Sequence, residues 1–158
     1  MVITMAVKRI EDVIGEHLTG DTRKNAQDFT SYLRVDNMTF DDSGYCWSPE
    51  YYGKPLFHIK FDGFGNEPDK WIIWSAEDYN GDSADSADER VKQFAWANVC
   101  FCGSCGGDCA PGRTVLIFGK QFDKVCHSAL IFVNPDAEAI ESLKKLADIR
   151  KSNILNNV

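Results

Sequence analysis

The chain has 158 residues, 44% of them apolar and 26% charged, which are the values of an ordinary globular protein and argue against disorder. That length buries a full core without covalent cross-links. A net charge of −7 with no run of Lys or Arg argues against nucleic acid as a partner, since phosphate binding needs a basic face.

Met1 to Val7 is apolar but too short for a leader, and no basic stretch precedes it. No later segment nears the ~18 to 20 apolar residues of a membrane span. The expectation is a cytoplasmic protein that makes no membrane contact. Val7, Ile10, Val13, Ile14 and Leu18 recur at helical spacing and predict a helix over about 7–19. Asp21 or Thr22 is positioned to cap a second helix, with Ala26, Phe29, Tyr32 and Leu33 on one face, ending near 35–37.

From Asp41 the texture changes. Asp41-Asp42-Ser43-Gly44 reads as a turn. Tyr45 to Tyr52, broken by Pro49, reads as an irregular or edge strand. Phe57, Ile59 and Phe61 alternate with His58 and Lys60, the pattern of a half-buried antiparallel strand. Trp71 to Ala76 is the next strand and is expected to pair with it. Asp82, Asp85 and Asp88 lack the ligand spacing of a calcium loop; Ser86 with Glu89 instead fits a capping box for a helix that presents Val91, Phe94, Ala95 and Val99. Thr114 to Phe118 and Val125 to Val133 read as a hairpin joined by a turn over 119–124. Asn134 is expected to cap the last helix, with Pro135 in its first position and Ile140, Leu143, Leu146 and Ala147 as its apolar stripe.

One stretch calls for a chemical explanation. Asn98 to Gly112 holds four of the six cysteines, Cys100, Cys102, Cys105 and Cys109, in a C-x-C-x2-C-x3-C run. Where thiols stay reduced, such clustering means metal or redox chemistry more often than disulfides. Four thiolates so close repel one another, and a tetrahedral zinc ion removes that cost. Cys102-Gly103-Ser104-Cys105-Gly106 has the form of a zinc knuckle, so Cys102 and Cys105 lead, with Cys109 third. The fourth ligand is Cys100 or, as alternatives, Cys126, His127 or Cys46. A regular hairpin would place Cys126 near its closed end, opposite about Ile117 or Phe118 and away from the run. An iron–sulfur cluster is the lesser cofactor reading, because the first gap is one residue rather than two. A redox dithiol at Cys102 and Cys105 is another, although such pairs usually open a helix. An all-thiolate set is a structural signature, so no catalytic residue is assigned.

The second feature is aromatic density. Trp47, Tyr51, Trp71 and Trp74 with His58 form a candidate pocket for a small apolar or aromatic ligand if the strands bring them together. Ordinary core packing is the competing reading.

Three segments carry a resemblance: Cys-Phe-Cys-Gly-x-Cys-Gly-Gly-x-Cys-Ala-Pro-Gly, then Ile-Phe-Gly-Lys-x-Phe-Asp-x-Val-Cys, then Phe-x-Asn-Pro-x-Ala-Glu. Residues 97–151 resemble a group of small uncharacterised bacterial proteins that share them. The resemblance implies a folded soluble unit and no mechanism, and it places Cys126 inside the shared stretch.

The fold expected is a single α+β domain over 1–158, with an antiparallel sheet, helices mainly on one face and a metal-stapled cysteine loop between a helix and a hairpin. Its parts are a helical 1–37, a sheet with an inserted helix over 38–133 and a C-terminal helix over 134–152. The function expected is a non-enzymatic small-ligand-binding or regulatory module with structural zinc. The alternatives are a thiol redox or metal-sensing protein and an enzyme working in an aromatic cleft.

Overall fold

In a computed structural model, residues 7–63, 67–79, 87–103 and 112–157 are described. Among these residues alternation and helical periodicity build α+β architecture from four helices and eight strands: α1 (Ile10–His17), α2 (Gly20–Leu33), β1 (Met38–Asp42), β2 (Trp47–Tyr51), β3 (Lys54–Pro55), β4 (Phe57–Lys60), β5 (Ile72–Ser75), α3 (Glu89–Ala97), β6 (Val99–Phe101), β7 (Arg113–Ile117), β8 (Lys120–Val133) and α4 (Ala137–Asn156). The strands form one sheet in the order β1-β2-β4-β5-β8-β6, with β3 beside β2 and β7 beside β8. All its strand pairs are antiparallel, as the short connections require.

The helices and one face of the sheet share a core. Ile14, Phe29, Val91, Leu143 and Leu146 from the helices belong to the same buried cluster as Phe57, Ile59, Ile73 and Phe132 from the strands. Trp71, fully buried, stacks on Phe61 with ring centroids 6.1 Å apart and leans on Phe29 at 6.3 Å. The opposite set of strand side chains, Ser48, His58, Lys60 and Trp74, is only partly buried, as the alternation in β4 anticipates.

Several local expectations are corrected. Pro49 does not mark an edge: β2 lies between β1 and β4. Proline is tolerated there because it faces Phe40 of β1 while its carbonyl accepts from Leu56 N–H on the other side (2.8 Å). Asp41 and Asp42 end β1 rather than forming the turn, which Ser43 closes by accepting from Cys46 N–H (3.2 Å). Thr19, not Asp21 or Thr22, is the N-cap of α2, without a side-chain cap bond. Asp88 caps α3 by accepting from Val91 N–H (2.9 Å); Ser86 lies outside the described residues. Asp136, not Asn134, caps α4 (Ala139 N–H, 2.8 Å), because the Asn134 side-chain oxygen Oδ1 is already taken by Trp71 N–H (2.8 Å).

The hairpin departs most. Its turn is two residues long, Phe118 and Gly119, with φ of 47° and 80°, and Ile117 pairs with Lys120. Two positive φ angles suit a mirror-image turn that matches strand twist. β8 therefore starts at Lys120. A bulge at Lys124 (φ 58°) shifts the β7–β8 register, leaving Arg113 opposite Val125.

Candidate functional site

That register moves Cys126 from the closed end of the hairpin to its open end, next to the cysteine run. Val125 is paired on one side with Phe101 of β6 and on the other with Arg113 of β7. The chain thus leaves one edge of β8 and returns on the other, and both ends are fastened to one residue. Cys102 N–H donates to Lys124 C=O (2.7 Å). Gly112 packs on the same residue so tightly that a Cβ there would lie 2.4 Å from the Lys124 carbonyl carbon, which is why only glycine fits.

Cys100, read from the sequence as part of the loop, lies in β6 and is 5% exposed; Cys102, Cys126 and Cys46 are half-buried. Strand alternation about the Phe101–Val125 pair puts Cys100 and Cys102 on the opposite side of β6 from Phe101, and Cys126 on the opposite side of β8 from Val125. Cys46 sits on the turn between β1 and β2, beside Ser43, away from this ladder. Cys105 and Cys109 lie outside the described residues. Among the described residues, no three His, Cys, Asp or Glu side chains are grouped to hold a metal ion.

Beside Cys126 the sheet is completed by a side chain. β5 and β7 follow one another along the same edge of β8, and neither pairs with Cys126 to Leu130. Arg113 fills the gap. Its Nε donates to Cys126 C=O (3.2 Å), one Nη to His127 C=O (2.8 Å), and its fork grips Asp78 at 2.6 and 2.7 Å. Ser75 Oγ accepts Leu130 N–H (3.0 Å) and closes the rest. Bonding to Asp78 raises the Arg113 pKa, against the opposing effect of burial.

Asp78 belongs to a polar corner that the local sequence does not announce. Glu77 receives Asn153 Nδ2 on both oxygens (2.9 and 3.1 Å), with an Arg150 Nη 3.9 Å away. Burial pushes the Glu77 carboxyl pKa up, against the pull of Arg150. Tyr79 is fully buried and stacks on Phe118 at 5.5 Å; its hydroxyl has no hydrogen-bond partner among the described residues. Acidic residues followed by a tyrosine in a loop give no sequence signal of burial, because the partners come from 35 to 76 positions away.

The five aromatic-pocket candidates do not converge. Trp47, Tyr51 and Trp71 pack against the helix-side core, and Lys151 sits 5.7 Å from the Tyr51 ring. His58 and Trp74 face the other way and oppose each other across β4 and β5. His58 Nδ1 is 2.8 Å from Ser48 Oγ, and burial lowers its pKa more than Glu50 raises it. Trp47 instead floors a cleft of ≈ 270 Å³ with Val13, Ile59 and Phe61, rimmed by His17, Lys60 and Asp62. Lys60 bridges that rim, 3.5 Å from Asp62 and 4.6 Å from the Tyr45 ring.

No described helix is long and apolar enough to cross a membrane. No family model, curated protein or solved structure matches the chain.

Proposed function

We propose that this chain is a non-enzymatic ligand-binding module whose cysteine run holds a structural zinc ion. Cys102, Cys105 and Cys109 supply three thiolates and Cys100 or Cys126 the fourth. The observation that carries the reading is that both ends of the run meet at one point of β8: Phe101 and Arg113 pair with Val125 from its two edges, and Cys102 N–H donates to Lys124 C=O. A connection that joins both edges of a strand while carrying four thiols gains a fixed shape from one tetrahedral ion. The zinc's work is to hold β6 and β7 on β8. The ligand's place is the Trp47 cleft, whose apolar floor and charged rim suit a small apolar or aromatic molecule with one polar group.

Two measurements test the parts separately. Treatment with a strong chelator should lower the melting temperature by several degrees, and added zinc should restore it; no change contradicts the staple. A small-molecule thermal-shift screen should give hits that Trp47→Ala abolishes. Hits unaffected by that variant place the ligand elsewhere.

The second reading, a thiol redox or metal-sensing protein, is favoured by one contact: Arg113 Nε is held on the Cys126 backbone carbonyl (3.2 Å), beside a half-buried cysteine. Reversible loss of one thiol pair on mild oxidation, without metal in the reduced protein, supports it over the zinc reading.

A further inference from the structure

We propose that the end of β8 carries a binding site for a small planar ring bearing a primary carboxamide, separate from the Trp47 cleft. A cleft of ≈ 220 Å³ opens between the end of α3, the end of β8 and the start of α4, and its lining includes Phe94, Asn98, Phe132, Val133, Pro135 and Asp136. A cavity of about 150 Å³ holds benzene, so this one takes a single ring with one substituent. The β8 backbone supplies the polar contacts. Asn134 N–H donates to Trp71 C=O (3.0 Å) on the β5 side, while Ile131 N–H donates to Asn98 C=O (3.0 Å) on the other side. Alternation therefore turns the Val133 N–H and C=O away from β5, although Val133 lies opposite Ile72 there. Pairing with β6 stops at Leu130, opposite Val99, and the Asn98 carbonyl takes Ile131. Among the described residues, nothing bonds the Val133 pair.

The shape of this edge selects the ligand. A strand residue turned outward presents a donor and an acceptor side by side, which a neighbouring strand meets with a matching pair. Only one residue of edge is open here, because the chain turns at Asn134 (φ 44°) and enters α4 at Ala137, so an added strand gains one pair of bonds. A primary carboxamide carries the same matching pair on one carbon. Its oxygen accepts from Val133 N–H and one of its N–H groups donates to Val133 C=O. Asn98 Nδ2 donates to Phe94 C=O (2.8 Å), which leaves Asn98 Oδ1 as an acceptor for the second amide N–H. Phe94 and Phe132, stacked with centroids 5.0 Å apart, give the ring an apolar wall. Asp136 is the one charged residue of the lining, and its carboxylate favours a neutral amide over an acid of the same shape.

Titration of benzamide into the isotope-labelled full chain, followed by its backbone amide resonances, tests this. A saturable shift of the Val133 and Ala139 N–H signals is expected, with a Kd on the order of 1 mM for so small a probe. N,N-Dimethylbenzamide lacks the N–H donors, and benzoate lacks them and is charged; both should bind at least tenfold more weakly. Ala139→Phe fills the cleft from α4, and Val133→Pro removes an N–H that bonds only outward. Each should weaken benzamide at least tenfold, read at the Asn98 side-chain amide, with circular dichroism confirming that the variant folds. No saturable shift at Val133 up to about 20 mM benzamide overturns the proposal. Equal binding of the three probes overturns it too, since it shows apolar contact alone, as do shifts confined to the Trp47 cleft.

Discussion

Arg113 and Asp78 form a bidentate ion pair, 2.6 and 2.7 Å, where the β5–β7 edge of β8 has no strand beside it. The guanidinium takes the place of a ladder partner for Cys126 and His127. Arg113→Leu leaves two carbonyls and a half-buried carboxylate without their donors, and should cost about 2–3 kcal/mol in urea unfolding. Arg113→Lys cannot reproduce the fork and should recover less than half of that. A loss under about 0.5 kcal/mol for Arg113→Leu, the range of surface substitutions, contradicts the role assigned.

Two glycines should respond to alanine with opposite signs. At Gly112 the new methyl meets the Lys124 backbone at 2.4 Å, so Gly112→Ala should destabilise by roughly 2 kcal/mol or more. Gly15 lies in α1 with nothing within 4 Å of its Cβ position, so Gly15→Ala should stabilise by about 0.5–1 kcal/mol. Denaturation midpoints of the two variants check both, and equal effects contradict the close approach.

The Tyr79 hydroxyl is buried without a partner among the described residues. Removing it keeps the stack on Phe118, so Tyr79→Phe should be neutral or stabilise by up to about 1 kcal/mol. A loss of stability on calorimetry means the hydroxyl has a bonding role.

His58 gives the fold a pH slope. Burial lowers its pKa below the ordinary 6.5. Its unfolded form therefore binds a proton at a pH where the folded form does not. The stability linked to it is complete above 6.5 and declines as pH falls from there toward the folded pKa. The wild-type melting temperature should drop over that interval, and His58→Gln should flatten the curve. A variant curve parallel to the wild type assigns the slope to another group.

Much of this fold was legible because its signals are local. The two-residue period of Phe57, Ile59 and Phe61 set the buried face of β4, and the stripe of Ile140, Leu143 and Leu146 set α4. What was not legible depends on distant partners. Asn134 and Asp136 are both good caps two residues apart, and only Trp71 N–H, 63 positions away, decides between them. The hairpin register was hidden by Phe118, which adopts a positive φ usually marked by Asn or Gly, and by the bulge at Lys124. That register error alone put Cys126 on the wrong end of the hairpin. The pocket candidates separate for a simpler reason: alternation divides Trp47 and Tyr51 from His58, although all sit on neighbouring strands.

The zinc staple proposed for the junction of β6, β7 and β8 is best tested by elemental analysis of the protein purified without oxygen or added metal. One zinc per chain in a colourless sample, falling below about one tenth in Cys105→Ser together with a lower melting temperature, is the result the account predicts. Metal-free protein with all thiols titratable and an unchanged melting temperature in Cys105→Ser, or a brown sample carrying iron and sulfide, would contradict it.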